Sequence, residues 1–578
     1  MTGPVAPKDP GKARPFFYIL KDKDIFGERQ KDGTGIQFIY ESDGRLINSA
    51  QITGNVTDKE ELTLLETVEG FGRLVHSIGV SVETDRPKET AEFVFQMYGK
   101  KDLYGGGTNL TTSLKCDGME HRIYLSDYRW TEDDHVPGQI KILFAAPERM
   151  GKVSVRLFLN DGYEAPPEEE DLVIDMHSEE YCGMISRSLL QLGNPYRIRK
   201  AIEKSKAGKE VTLAYIGGSI TQGAGAIPIH TECYAYKSFQ LFQNRFSTQN
   251  NVRFIKAGVG GTPSELGMIR FDRDVLREGE RPDIVVIEFA VNDEGDETKG
   301  VCYESLVRKV LKLPWKPAVV LLFSVFANDW NLQERLRPVG DLYDLPMVSI
   351  RDAVTPQFSL KCGEGRILSK NQFFYDIFHP NNTGHTIMAD CLQYLFERCD
   401  TAEPARVGTF VEGMTEEQTL SEKLSGSAVI GADFERIFLL DKKNRYVGAK
   451  IRAGSFTSTD IELQSVEMDG NLTQTPEFPY NWMYDGSRPQ MPGFEMEITC
   501  KSLFLIFKDS GETDVGKANV FVNDVYCMTA DPHKNNWLHC NAVLLFWETE
   551  SRSHKVRIAV TEEDRNKKFT ILGFGYTI

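Results

Sequence analysis

The pattern of hydrophobic and polar positions changes twice along the chain, which predicts three regions of different architecture. Up to about residue 170, short runs such as 80–83 and 140–144 alternate apolar and polar residues. A period of two is typical of strands that bury one face. We therefore predict an N-terminal β-sandwich domain over residues 1–172, with the acidic, proline-containing stretch 164–170 as a linker.

Between residues 180 and 402 the strand-like runs are mostly apolar and alternate with amphipathic segments of helical length. These runs are 211–216, 252–256, 284–289, 319–323 and 347–350. Buried strands separated by amphipathic helices are typical of a parallel sheet covered by helices. We predict an α/β domain with a parallel five-stranded sheet and helices on both faces.

Short strand-like runs return after residue 404. They lie at 436–440, 495–499, 503–507, 520–522, 543–546 and 556–560. Glycine and asparagine separate them and no long helix is required, which predicts a C-terminal all-β sandwich or jelly-roll domain over residues 405–578. Three domains also suit the length of 578 residues, because single cores rarely grow beyond about 250 to 300 residues.

The charge and composition of the chain indicate which partners and which compartment to expect. The 84 acidic residues exceed the 67 basic ones, giving a net charge of −17, which disfavours nucleic acid and anionic membrane surfaces. The first residues lack the apolar core of a signal peptide, and no apolar run reaches the ~18 residues of a membrane span. Ten cysteines occur without a CxxC pair, so we expect a reduced, cytoplasmic protein. The sequence leaves a homo-oligomer open.

A candidate nucleophile follows the first apolar run of the central region. The run leads into Gly217-Gly218-Ser219-Ile220-Thr221. Glycines beside a serine at a strand end permit a tight turn that exposes the hydroxyl. By itself this turn is more often a plain loop, and it lacks the Gly-x-Ser-x-Gly elbow of α/β-hydrolases.

Two further turns follow the next apolar runs. Residues 257–262 read Ala-Gly-Val-Gly-Gly-Thr, without the lysine of a phosphate-binding loop or the acidic residue of a dinucleotide site. Residues 290–293 read Ala-Val-Asn-Asp, and the Asn292 amide could donate a hydrogen bond to a developing oxyanion. An Asx-turn at the strand exit explains Asn292 about as well.

The strongest local signal is a carboxylate placed three residues before a histidine, Asp376 before His379. This spacing lets the carboxylate bind Nδ1 and leaves Nε2 free to accept a serine proton. We interpret the nearby His385 as a structural residue of a helix N-terminus. A metal site from Asp376, His379 and His385 lacks a further ligand cluster, so we expect neither a metal nor a cofactor.

The candidate residues all follow strands at the same predicted edge of the sheet. In an open parallel sheet the ligand crevice lies outside the carboxyl ends of the strands. Ser219, the 257–262 turn and Asn292 each follow a different predicted strand, and the His379 loop follows the last one. We therefore expect the four loops to meet in one cleft.

The four blocks Gly-Gly-Ser-Ile-Thr, Ala-Gly-Val-Gly-Gly-Thr, Ala-Val-Asn-Asp and Asp-Ile-Phe-His-Pro-Asn resemble those of the SGNH hydrolases, also called GDSL esterases. The resemblance covers about residues 205–400. It implies Ser219 as nucleophile, His379 as base and Asp376 as the residue that orients it. It also implies an oxyanion hole formed by the N–H groups of Ser219 and Gly261 and by the Asn292 side chain.

Two positions depart from the family pattern. Gly218 replaces the aspartate of the usual Gly-Asp-Ser, and Ala290 replaces the glycine before Asn292. Neither change removes a reacting atom, so both bear on the geometry of the turns more than on the activity.

The flanking β regions give the best indication of substrate. Multidomain SGNH enzymes with attached sandwiches resemble bacterial carbohydrate esterases, which implies an acetyl ester on a xylo- or manno-oligosaccharide. Trp330 is a candidate wall of the cleft and Trp482 a candidate for stacking on sugar rings, with packing as the competing interpretation of both. Two alternatives stay open: a lipase or thioesterase of the same family, and a catalytically weak carbohydrate-binding protein.

Overall fold

The computed structural model describes residues 12–40, 45–101, 105–168, 170–277, 279–402, 416–467, 474–488 and 492–578. The predicted linker includes residue 169, and the predicted boundary after residue 402 runs into residues 403–415, which lie outside these ranges. The domain limits therefore stay predictions. Within the described ranges, no helix combines the length and the apolar character needed to cross a membrane.

The N-terminal region is built from two antiparallel sheets. A four-stranded sheet has the spatial order Phe16–Phe26, Met150–Leu159, Val75–Thr84, His121–Tyr124. A five-stranded sheet has the order Glu28–Arg29, Gly35–Tyr40, Asp134–Phe144, Thr90–Gly99, Asn109–Lys115. The apolar faces of both sheets enclose one core, as the alternating pattern predicts. Three short helices, Arg45–Thr53, Lys59–Leu64 and Val68–Leu74, and a 3-10 turn at Leu125–Asp127 were not predicted.

The central region contains a six-stranded sheet. Its strands, in chain order, are β1 (Leu189–Gln191), β2 (Val211–Gly217), β3 (Val252–Gly258), β4 (Ile284–Glu288), β5 (Ala318–Phe323) and β6 (Met347–Ser349). Their order across the sheet is β1-β6-β5-β4-β2-β3. Strands β2 to β6 are parallel to their neighbours, whereas β1 pairs antiparallel with β6.

The predicted sheet of five parallel strands therefore needs one correction, since the sheet is mixed and has six strands. The additional strand β1 has only three residues, all half-buried. A run this short at the sheet edge carries no apolar pattern that distinguishes it from a loop.

Helices cover both faces of the central sheet, as predicted. Alternate residues of β2 belong to two separate cores, with Leu213 and Tyr215 in one and Ala214 and Ile216 in the other. The helices are Glu179–Ser186, Tyr196–Lys206, Ser219–Gln222, Ile229–Glu232, Tyr234–Phe246, Ser264–Phe271, Val301–Leu311, Gln333–Tyr343, Ile350–Phe358, Lys370–Phe373 and Asn382–Thr401, with a π-helical turn at Asp272–Leu276 and 3-10 turns at Asn292–Gly295 and Cys362–Glu364.

The C-terminal region is β-rich and joins eight strands in one antiparallel sheet. These strands are Phe438–Leu440, Ala449–Arg452, Trp482–Tyr484, Phe494–Asp509, Ala518–Val522, Val525–Ala530, His539–Val560 and Phe569–Thr577. Ser465–Glu467 and Gln474–Pro476 form a separate ribbon, and a helix spans Glu416–Ser425. The predicted runs 495–499 and 503–507 lie in one strand of 16 residues, Phe494–Asp509. The runs 543–546 and 556–560 lie in one strand of 22 residues, His539–Val560. The jelly-roll topology stays a prediction.

The C-terminal sheet packs directly on the central domain. Phe504, Ile506 and Leu572 of this sheet belong to the same buried core as β2 and β4. The C-terminal region is therefore attached along one face of the central sheet through a continuous apolar contact.

Candidate active site

Ser219 lies at the carboxyl end of β2. It is the first residue of a one-turn helix, Ser219–Gln222, which ends at Gly223 with a φ of 110°. Only glycine adopts that backbone conformation without strain, so the turn that presents Ser219 depends on it. The first N–H groups of a helix have no partner within the helix, and the Ser219 N–H is one of them.

Ser219, His379 and Asp376 form a continuous hydrogen-bonded series. His379 Nε2 is 2.9 Å from Ser219 Oγ, and His379 Nδ1 is 3.0 Å from both Asp376 carboxylate oxygens. A carboxylate only accepts, so Nδ1 carries the proton and Nε2 is left to accept from the serine hydroxyl. The structure thus brings together all three residues that the sequence predicted as a triad.

The backbone around His379 holds this geometry. Asp376 Oδ1 also accepts hydrogen bonds from the N–H groups of Phe378 and His379, at 2.8 and 2.9 Å. These two bonds close the turn between the carboxylate and the imidazole. Buried Lys23 of the N-terminal region donates to the Phe374 carbonyl at the base of the same loop, so this region supports the loop that carries the histidine.

Asn292 follows β4 and lies against Gly218. A Cβ added at Gly218 would be 2.1 Å from Asn292 Oδ1, a separation that non-bonded atoms do not tolerate. Gly218, which departs from the usual Gly-Asp-Ser, therefore leaves room for the Asn292 side chain next to the nucleophile.

Gly261 reaches the same edge through strand pairing. Gly258 at the end of β3 pairs with Gly217 at the end of β2, and the Val259 N–H donates to the Gly217 carbonyl. Buried Arg270 also donates to the Gly217 carbonyl, at 2.8 Å. Gly261 itself has a φ of 69°, which favours glycine at this turn.

Two buried ionisable residues lie beneath the site. Burial raises the pKa of Glu288, the last residue of β4, to about 7, and Thr221 Oγ1 donates to its carboxylate. Burial lowers the pKa of His385 to about 3. His385 accepts from the Tyr234 N–H and donates to the Ala224 carbonyl, so it is a neutral structural residue.

The two tryptophans proposed for sugar contact differ in position. Half-buried Trp330 stacks on Phe326, and Phe326 contacts Phe378, the neighbour of His379. Trp330 therefore borders the loop of the triad. Trp482 is 5% exposed and packs against Phe494 and Phe574. The prediction of Trp482 as a sugar contact is wrong, because its ring is part of the C-terminal core.

Three residues of the C-terminal region reach the Gly260–Gly261 turn, and none was predicted. The Gln464 amide donates to the Gly260 carbonyl, and His539 Nε2 donates to the Gly261 carbonyl. The Trp537 ring, 44% exposed, lies within 3.1 Å of where a Cβ of Gly261 would be. No local motif marks these residues, because their contact depends on how two distant regions pack.

The described part of the chain contains no cluster of three or more histidine, cysteine, aspartate or glutamate side chains arranged to hold a metal ion. The groups that do converge are a hydroxyl, an imidazole and a carboxylate, with backbone and amide donors beside them. Together on a doubly covered α/β sheet they have the arrangement expected of a serine hydrolase.

The comparisons with known proteins agree with this class. Residues 215–387 match the family model of the GDSL-like lipase/acylhydrolases. The matched part of the chain is similar to these hydrolases, and it contains Ser219, Asp376 and His379. No curated protein matches the chain in the corresponding sequence search.

Solved structures resemble a larger part of the chain. A two-domain esterase active on acetylated mannans is 23% identical over 68% of this chain and 98% of its own, with a TM-score of 0.54. Its structure co-crystallized with mannopentaose is 24% identical over the same shares, also with a TM-score of 0.54. An acetylxylan esterase from Geobacillus stearothermophilus is 18% identical over 33% of this chain and 96% of its own, with a TM-score of 0.26. At these identities the likeness concerns the fold.

Proposed function

We propose that the protein is a serine esterase that removes acetyl groups from oligosaccharides of the xylan or mannan type, with Ser219 as nucleophile. The observation that supports this most is the series from Ser219 Oγ through His379 to Asp376, with distances of 2.9 and 3.0 Å. A hydroxyl becomes a nucleophile at neutral pH when a positioned base takes its proton.

The reaction proceeds in two acyl transfers. His379 Nε2 takes the Ser219 proton as Oγ attacks the ester carbonyl, and the resulting imidazolium is stabilised by Asp376. The tetrahedral intermediate collapses, the sugar oxygen leaves with the proton from His379, and the acetyl group stays on Ser219. Water, deprotonated by His379, then attacks this acyl-enzyme, and the second tetrahedral intermediate collapses. Ser219 Oγ leaves with the proton from His379, and acetate is released.

The developing oxyanion is stabilised by the N–H groups of Ser219 and Gly261 and by the Asn292 amide. Asn292 is suited to this role because its side chain lies against the residue that precedes the nucleophile. These donors are fixed before the reaction, so they stabilise the charge without reorganisation.

Replacement of Asn292 by alanine is expected to lower kcat for an acetate ester by about 10²- to 10³-fold, or roughly 2.7 to 4 kcal/mol. KM is expected to change little, because the lost hydrogen bond forms mainly in the transition state. Steady-state kinetics with p-nitrophenyl acetate measure both constants. A rise in KM with kcat unchanged would exclude an oxyanion role for Asn292.

The sugar part of the proposal has two supports. The solved structure with the larger coverage belongs to an esterase active on acetylated mannans. In this chain, Trp330, Phe326 and Phe378 form an aromatic border on the triad loop, and Phe378 is 38% exposed. Exposed aromatic faces are suited to stacking on the apolar faces of sugar rings.

Acetate release from acetylated xylan, mannan and pectin oligosaccharides tests this proposal. We expect release from the xylo- or manno-oligosaccharides to exceed that from the pectic ones, and acetyl esters to be cleaved faster than octanoyl esters. A preference for octanoyl esters would instead indicate a lipase. Absence of release from every acetylated sugar would refute the carbohydrate assignment.

A further inference from the structure

The C-terminal region contacts the predicted oxyanion hole through a buried glutamine. Gln464 is 8% exposed, and its Nε2 donates a hydrogen bond of 2.8 Å to the Gly260 carbonyl. Its Oε1 accepts a hydrogen bond of 2.9 Å from the Cys540 N–H. One end of the amide must donate and the other must accept, so these two partners fix its orientation.

The position of this hydrogen bond matters because of the geometry of the peptide unit. The Gly260 carbonyl and the Gly261 N–H belong to the same peptide bond, which is planar and holds the two groups in opposite directions. A donor that fixes the carbonyl therefore also fixes the direction of the N–H. It further polarises the peptide, which strengthens the N–H as a donor.

The next peptide is held from the same side. His539 Nε2 lies 3.1 Å from the Gly261 carbonyl, which can only accept, so Nε2 carries a proton. The opposite ring nitrogen, Nδ1, faces the Asn535 amide at 3.1 Å and Asp509 at 3.4 Å. Two successive carbonyls of a glycine-rich turn are thus bound by side chains of another region.

Glycines depend on such support more than other residues do. Gly260 and Gly261 have no side chains to anchor them, and glycine has wide conformational freedom. Stabilisation of an oxyanion requires donors that are already in position. Gln464 and His539 of the C-terminal region hold the Gly260 and Gly261 carbonyls in position.

We propose that Gln464 is a positioning residue for catalysis, which makes the C-terminal region part of the catalytic machinery. This inference rests on the proposed function, since it assigns the Gly261 N–H to the oxyanion hole. Gln464 acts through the Gly260–Gly261 peptide and does not touch the substrate.

Two variants separate this role from simple packing. Gln464→Met keeps the length of the side chain and removes both hydrogen bonds. Gln464→Glu keeps the shape and the acceptor for Cys540, but an ionised carboxylate cannot donate to the Gly260 carbonyl. Because Gln464→Glu preserves the bond to Cys540, it provides a second test should Gln464→Met fold poorly.

We expect both variants to lower kcat for p-nitrophenyl acetate by about 10-fold, with KM within about two-fold of wild type, because a donor is loosened but not deleted. This small ester needs no sugar contact, so a carbohydrate-binding role of the region would not affect it. For Gln464→Glu, the ratio of its kcat to that of wild type should fall as pH rises, since only the protonated carboxyl group can donate to Gly260.

The matched control is Glu435→Gln, which alters another contact between the same two regions. Glu435 pairs with Arg308 and Lys312, and we expect its kcat to be that of wild type. Wild-type kcat in both Gln464 variants, with no pH trend in the Gln464→Glu ratio, would overturn the inference. Failure of the wild-type protein to hydrolyse any ester would instead refute the proposed function.

Discussion

Replacement of Ser219 by alanine is expected to lower kcat for acetate esters by about 10⁵- to 10⁶-fold, the loss seen when the nucleophile of a serine triad is removed. No acyl-enzyme can form without the hydroxyl. The residue is half-buried and its hydroxyl bonds to His379, so the free energy of unfolding should change by only about 1 kcal/mol. Stopped assays with p-nitrophenyl acetate and denaturant unfolding measure the two quantities.

Ser186→Ala is a suitable control for this variant. Its hydroxyl donates to the Gly183 carbonyl within the helix Glu179–Ser186, so it lies outside the triad. A fluorophosphonate should label the wild-type protein and Ser186→Ala, but not Ser219→Ala. Labelling of Ser219→Ala at the wild-type rate would mean that another residue is the nucleophile.

The central fold could be predicted because its signals are local. Each parallel strand is a mostly apolar run next to a helical segment, and β2 to β6 all lie where such runs occur. The antiparallel strand β1 escaped prediction because it consists of three half-buried residues. Its place in the sheet comes from pairing with β6 and not from its own pattern.

The C-terminal region shows where the same reasoning is less reliable. Runs 543–546 and 556–560 were predicted as two strands but belong to one strand, His539–Val560, whose middle residues are polar and largely exposed. Trp482 was misassigned for a related reason. An aromatic residue has the same sequence signature in a core as on a binding face, and only the packing against Phe494 and Phe574 distinguishes them.

The candidate site also combines local contacts, which the sequence reveals, with long-range contacts, which it does not. Asp376 and His379 are three residues apart, so their hydrogen bond is a local property that the sequence reveals. Gln464 and Gly260 are 204 residues apart, and no spacing rule connects them. The role of Gly218 also emerged only from the structure, because the reason for the glycine is the Asn292 side chain of another loop.

The other large effect is expected from Asp376→Asn, which should lower kcat by about 10⁴-fold. The asparagine can still accept from the Phe378 and His379 N–H groups, so the turn should persist. What is lost is a negative charge beside His379 Nδ1, which fixes the tautomer and stabilises the imidazolium that forms when Ser219 is deprotonated. Steady-state kinetics with p-nitrophenyl acetate, together with thermal unfolding, measure the effect.

Asp390→Asn provides the matched control for this substitution. Asp390 lies on the helix Asn382–Thr401 that follows the His379 loop, and its carboxylate accepts from the Tyr181 hydroxyl. Burial raises the pKa of Asp390, and the residue has no contact with the imidazole of the triad. Its replacement should affect unfolding more than kcat, whereas Asp376→Asn should do the reverse. Equal losses of kcat in the two variants would show that Asp376 acts through the stability of the fold and not through His379.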